Sequence, residues 1–279
     1  IGVALFGEIR NGARRWLDLG FMAFQPSEIL KLALPLMLAW FFQKHEPELS
    51  ARHYAIGAGL LALPFLLILR QPDLGTALMI GASGFYLLFF AGLSWKLIVG
   101  AAVAVGASLP LAWNLLHDYQ RQRVMTLLDP STDPLGSGYH IIQSTIAIGS
   151  GGVFGKGWAS GSQTRLDFIP ERTTDFVFAV FGEEFGYLGM ILLVALYLAL
   201  VVRGLLIAAN APTLFGRLMA ATISLNFFTY VFVNMGMVAG ILPVVGVPLP
   251  LMSYGGTALV TLMLGVGILM SVATHRRLN

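Results

Sequence analysis

The chain has 279 residues, of which 57% are hydrophobic and 11% charged, with a formal net charge of +3. A water-soluble domain carries about twice that share of charge, so the composition excludes an ordinary soluble enzyme, and the small net charge argues against a nucleic-acid binder. There is no cysteine, which excludes disulfides and thiolate metal sites, and the five histidines form no H-x-x-x-H pair.

Apolar runs of membrane-spanning length recur along the chain. The predicted spans are 26–42, 53–69, 74–92, 96–113, 186–208, 215–239 and 255–273. None shows the ten-residue alternation of an outer-membrane barrel, and helices satisfy their own backbone groups in lipid. The fold class is therefore an all-α polytopic membrane protein, read as a single transmembrane domain over 1–279. Two further apolar pieces, 140–154 and 240–252, are too short or too rich in Gly and Pro for an easy span. No Walker A loop is present, so direct nucleotide drive is not expected.

In chain order, IGVALF at 1–6 reads as the tail of a helix whose start is missing, which suggests an N-terminal truncation. NGARRWLDLG follows, with Arg15 beside Trp16, a pairing that suits an interfacial anchor or an anion contact. In FQPSEILKLALPLML, Pro26 fits a first helical turn. Glu28 and Lys31 are spaced i,i+3 and meet on one helix face. Charges inside a span pair with each other and mark a site or pathway; a purely structural ion pair is the other reading. In QPDLGT, Asp73 precedes an apolar run and is expected as an N-cap, not a catalytic group.

Residues 114–175 form the only long polar stretch. It holds HDYQRQRV with Arg121 and Arg123, and GSGGVFGKG with Lys156. Bare glycine amides with a lysine can bind an anion, although the Walker spacing is lacking and a flexible loop is the plainer reading. The stretch ends in FIPERTTDFVFAV, with Arg172 and Asp175 in front of an apolar run. Thr173, Thr174 and Asp175 are all plausible helix caps. Capping does not explain the Arg-rich surroundings, nor why the helix continues into GEEFG with Glu183 and Glu184. The competing reading makes Asp175 a general base. The helix dipole and Arg172 would lower its pKa while burial would raise it, and these influences pull in opposite directions. Finally, GILPVVGVPLPLMSYGG at 240–256 predicts a broken or re-entrant segment, tolerated only against protein or a watery cavity.

Orientation follows from loop cations. With the tail THRRLN and the Arg203–Arg217 loop cytoplasmic, 114–175 lies outside. If 140–154 does not span, seven loop cations fall inside and nine outside, so the usual inside bias is missing. If it does span, the N-terminal half flips. The first arrangement is preferred, because glycines weaken 140–154 as a helix. An Arg-rich outer face suits a diphosphate, since guanidinium forks bind phosphate oxygens in pairs. Anionic lipid headgroups are the alternative.

Taken together, NGARRWLDLG, FQPSEILK, QPDLGTA, DYQRQRV, DPLGSGYHIIQS, AIGSGGVFGKG, PERTTDFVFAVFGEEFG and ILPVVGVPLPLMSYGG resemble the SEDS family of bacterial cell-wall polymerases, in order and spacing across nearly the whole chain. NGARRWLDLG and HDYQRQRV look like its elongation branch rather than its division branch. The resemblance implies a ten-helix fold with both ends cytoplasmic, of which the seven spans are the last seven, and it makes 114–175 the large extracytoplasmic loop. It implies a peptidoglycan glycosyltransferase that polymerises lipid II in the bacterial cytoplasmic membrane, with inversion to a β-1,4 link and loss of undecaprenyl diphosphate. The family's catalytic carboxylate falls on Asp175. Its Arg-Trp pair falls on Arg15 and Trp16, and its helix ion pair on Glu28 and Lys31. Arg121 and Arg123 match its basic loop, and with Lys156 and Arg172 they are candidate substrate contacts. A divalent cation, magnesium or manganese, on the diphosphate is compatible with this chemistry, although no carboxylate cluster demands one. The implied partners are a class B penicillin-binding protein (a transpeptidase) with the elongation machinery, the lipid II substrate and membrane lipid; no nucleic acid is expected. Two other functions compete: a lipid II flippase, and a non-catalytic membrane scaffold for a transpeptidase. A flippase needs access from both sides, whereas the acid–base candidate lies only on the outer face.

Overall fold

The computed structural model describes residues 3, 7–10, 13–18, 23–71, 73–115, 118–134, 136–169 and 171–275. Most of IGVALF, Pro72, Pro170 and the last four residues of THRRLN lie outside the described residues, as does the side chain of Arg15. The chain divides into two compact units: 1–93, 199–229 and 255–279 form the first, and 94–198 with 230–254 form the second.

The first unit opens on a feature absent from the all-α expectation. Strands β1 (Glu8–Arg10), β2 (Ala13–Asp18) and β3 (Ala23–Phe24) form a small antiparallel ribbon. Arg10 pairs with Ala13, so two residues, Asn11 and Gly12, separate the first two strands in sequence. That dipeptide favours a two-residue hairpin, a signal outweighed by the surrounding membrane-like composition.

Helix α1 (Pro26–Lys44) follows, with proline in its first turn as expected. Helices α2 (Ala51–Leu69) and α3 (Leu74–Phe90) pack beside it. Asp73 caps α3: one carboxylate oxygen accepts from Thr76 N at 3.0 Å, and the other from Gln25 Nε2 at 2.9 Å. The core joins Leu34, Leu38 and Phe42 of α1 to Ile80 and Leu87 of α3, and to Leu218 and Met219. Close approach here depends on small residues. A Cβ at Gly84 would lie 2.3 Å from a Leu61 methyl.

The second unit begins with α4 (Trp95–Leu115), largely exposed along 95–108. Next come α5 (Asp118–Leu128), a 3-10 turn at Pro130–Thr132, α6 (Ser137–Ser150) and the single turn α7 (Ser162–Arg165). At 14 residues, α6 is well short of the roughly 20 that a crossing needs. This agrees with the arrangement in which 140–154 does not span.

Helices α8 (Val177–Ala209), α9 (Leu214–Val238) and α10 (Gly256–Thr274) complete the chain. Each of the seven expected spans falls on a helix. Among the described residues, α2, α8, α9 and α10 are long and apolar enough to cross a membrane, and α3 and 95–108 are shorter apolar helices. Leu63, Val103, Leu192 and Leu264 are exposed on these helices, as lipid-facing side chains are. The Pro/Gly-rich stretch between α9 and α10 is irregular, as its composition requires.

Candidate active site

The second unit holds Asp175 in the turn 171–176, directly before α8. The turn closes on one carbonyl. Glu171 O accepts from Thr174 N at 3.1 Å and Phe176 N at 3.2 Å, and the Glu171 carboxylate accepts from Thr174 Oγ1 at 2.7 Å. Glu171 has a positive φ of 53°, a conformation that L residues rarely adopt. Strain of this kind persists only where the surroundings enforce it.

Those surroundings come from 234–254. Tyr254 N donates to Thr173 O at 2.8 Å, Ser253 Oγ to Thr174 O at 2.5 Å, and Asn234 Nδ2 to Asp175 O at 2.9 Å. Three successive carbonyls of the turn are thereby held. Ser253 Oγ also accepts from Leu249 N, and Asn234 Nδ2 also donates to Val247 O. Tyr197 OH donates to Pro250 O at 2.6 Å. A Cβ at Gly246, whose φ is +70°, would lie 3.4 Å from Asp175 Oδ2. The Pro/Gly stretch is a cradle for the Asp175 turn.

Capping does not account for Asp175. Among the described residues no donor reaches its carboxylate, and its helix begins two residues later. Burial, with the Glu171 charge added, pushes it from the ordinary carboxylate range up to about 6. Arg172 does not offset this. Its guanidinium is turned onto Asp167 and onto Thr164 O, and its side chain is 43% exposed. Burial wins the contest that the sequence left open. A carboxylate at about 6 is mostly ionised at neutral pH yet basic enough to take a proton, as a general base requires.

Lys156 sits differently from its expected anion-binding role. All three of its donors are used, on Ser150 Oγ, Ser162 Oγ and Glu183 Oε1, each at 2.8 Å. Glu183 is fully buried and also accepts from Gln163 N at 3.0 Å and Thr164 N at 3.3 Å. Around this pair, GSGGVFGKG docks on the GEEFG kink: Lys156 N and Gly157 N donate to Glu183 O and Glu184 O, and Tyr187 N donates to Gly152 O. The kink is at Gly186 (φ 66°, ψ −165°). The loop is thus fixed in place, and the lysine serves the buried Glu183.

The remaining candidates separate by unit. In the first unit, Glu28 and Lys31 pair at 2.6 Å, both buried, and among the described residues Glu28 Oε2 has no partner. Arg15 and Trp16 lie on β2, and Trp16 is half-buried. In the second unit, Arg121 and Arg123 lie on α5, where Arg121 donates to Asn114 O at 2.9 Å. Asn234 and Ser253 escaped the sequence reading. An Asn inside an apolar span was the available signal for the first, shared there with Asn226.

Comparison with known proteins gives a consistent result. The sequence pattern of the cell cycle protein family of FtsW, RodA and SpoVE matches residues 1–278. The peptidoglycan glycosyltransferase MrdB of Escherichia coli is 58% identical over 279 residues, covering 100% of this chain and 75% of that protein. Among solved structures, a chain of a peptidoglycan synthase complex that coordinates polymerization and crosslinking superposes with a TM-score of 0.84 at 38% identity, covering 100% of this chain and 78% of that one. The rod shape determining protein RodA of Thermus thermophilus superposes with a TM-score of 0.69 at 30% identity, covering 99% and 75%.

Proposed function

The chain belongs to the FtsW, RodA and SpoVE family, and from that premise we propose that it is a peptidoglycan glycosyltransferase of the multi-pass membrane type, polymerising lipid II during cell elongation. The observation that carries the assignment of its base is Asp175: a carboxylate raised to about 6 by burial, with its turn clasped through three successive carbonyls.

In the proposed reaction, Asp175 accepts the proton of the acceptor GlcNAc 4-hydroxyl as that oxygen attacks MurNAc C1 of the donor. The bond from C1 to the undecaprenyl diphosphate breaks, the configuration inverts, and a β-1,4 link forms. Negative charge grows on the leaving diphosphate, and guanidinium groups suit that charge. In the second unit Arg121, Arg123 and Arg172 are the candidates for this role, and Arg15 is a candidate on the family resemblance alone. Lys156 is better read as a support for Glu183. Glu28 and Lys31 supply a buried polar pair to the first unit. Among the described residues no group of three His, Asp or Glu is placed to hold a metal ion. We place the reaction on the extracytoplasmic face of the bacterial inner membrane, with a class B penicillin-binding protein as partner, in line with the synthase complex that this fold matches.

The test is glycan-strand synthesis from purified lipid II by the full-length protein with its transpeptidase, read on gels beside a vesicle assay of lipid II translocation. Strands made in detergent, where there is no bilayer to cross, support the polymerase. Translocation without strands favours the flippase, and neither activity favours the scaffold.

A further inference from the structure

We infer that Asn234 and Ser253 are positioning residues, which hold the carboxylate of Asp175 in register by gripping the backbone of its turn. The inference rests on the reading of Asp175 as the base.

Asn234 is fully buried in α9, a helix otherwise apolar around it. Its amide nitrogen donates to two carbonyls, Asp175 O at 2.9 Å and Val247 O at 2.7 Å. A primary amide has two N–H donors, so both are used, and both on main chain. Among the described residues its own oxygen, which is buried, has no partner. An orphaned buried oxygen is a cost that leucine would avoid, so the two donated bonds are what this side chain contributes. They tie the Asp175 turn and the irregular 240–256 segment to one rigid helix. Ser253 repeats the arrangement from the other end of that segment. Its hydroxyl donates to Thr174 O at 2.5 Å and accepts from Leu249 N at 2.7 Å.

Neither side chain hydrogen-bonds the carboxylate among the described residues. Each acts on the carbonyl frame that aims it, and the frame needs such help because Glu171 holds a strained φ at its start. Catalysis is sensitive to an ångström of displacement at the base. A loosened turn also admits water to the carboxylate. Among the described residues, the charged and titratable groups around the turn include Glu171, Arg172 with its partner Asp167, Tyr254, and His140, whose ring stacks on Phe176 at 5.3 Å. None is altered by the substitutions below.

The experiment measures lipid II polymerisation against pH with the full-length protein and its transpeptidase, for wild type, Asn234→Leu, Ser253→Ala, Ser253→Thr and Asp175→Asn, with each variant's folded fraction measured by size exclusion. Turnover per folded molecule is expected to fall roughly 100-fold in Asn234→Leu and roughly 10-fold in Ser253→Ala, with KM for lipid II unchanged. The acid limb should move down from pH about 6 toward the ordinary carboxylate range. Ser253→Thr, which keeps the hydroxyl, should restore both. Should Asn234→Leu fail to fold, Ser253→Ala against Ser253→Thr decides alone. Normal turnover per folded molecule, or a fall with the acid limb unmoved, overturns the positioning role. An active Asp175→Asn instead removes the underlying reading of the base.

Discussion

Arg172 donates to Asp167, not to Asp175, although Asp175 is only three residues further along the chain. The nearest guanidinium in sequence is spent on a neighbouring loop carboxylate and on the Thr164 carbonyl. Asp175 is left to burial and to the charge of Glu171, which both favour its protonated form. This single choice of partner separates a basic carboxylate from a cap or an ion-pair member.

The first consequence concerns pH. A base works only when ionised, so a raised pKa moves the loss of activity upward. Turnover should be half-maximal near pH 6 and fall as pH drops through that value; an ordinary Asp would give about 4. Glu171→Gln removes the like charge and should lower the limb, leaving burial to hold it above the ordinary range. Initial rates of polymerisation between pH 4.5 and 8 check both, and an unmoved limb in the variant removes Glu171 as a cause.

Stability should respond in the opposite sense. Because the folded-state pKa of Asp175 lies above its unfolded value, folding favours the protonated acid, and that contribution is present below pH about 4 and lost as pH rises through about 6. The ionised group then weakens the fold by up to about 3 kcal/mol. Asp175→Asn is expected to melt at a higher temperature than wild type at pH 7.5, with the difference closing at pH 4. Thermal unfolding in detergent measures it.

The Lys156–Glu183 pair makes a third prediction. Glu183 is fully buried, so Lys156→Met strands a charge and should cost about 3 kcal/mol or more. Adding Glu183→Leu should recover part of the loss, because the stranded carboxylate goes with it. Recovery stays incomplete, since Gln163 N and Thr164 N then lose their acceptor. Unfolding temperatures of the two singles and the double give the coupling.

Gly186 makes the fourth. Its backbone occupies a region open almost only to glycine, and a Cβ there would lie 2.3 Å from Gly155 N. Gly186→Ala should cost about 1–3 kcal/mol in strain alone, and the clash should free the 151–157 loop from the kink. Increased protease cleavage within 151–157 reports the release; an uncut loop contradicts it.

Helices were legible because each span is a long apolar run and helices are what lipid permits. Asp73 and the Glu28–Lys31 pair were legible too, since a cap or an i,i+3 pair is settled within one turn of chain. The antiparallel pairing of β1, β2 and β3 has little trace in the sequence, because its one marker is the Asn11–Gly12 dipeptide. At the candidate site, Asp175 stood out as a carboxylate facing an apolar run. What surrounds it did not: Asn234 is 59 residues away in sequence and Ser253 is 79 from Thr174. Hydrogen bonds between such distant segments leave no periodic trace. The same distance effect hid the partner of Lys156, which glycine-rich company had suggested as an anion ligand.

The most direct test of Asp175 as the base is polymer formation from purified lipid II by Asp175→Asn beside wild type, each in complex with the transpeptidase. Asparagine keeps the shape and cannot take the proton. The account expects the variant to fold, bind its partner and lose activity by roughly 100-fold or more. Normal strand synthesis by Asp175→Asn would contradict it and move the search for the base to another residue.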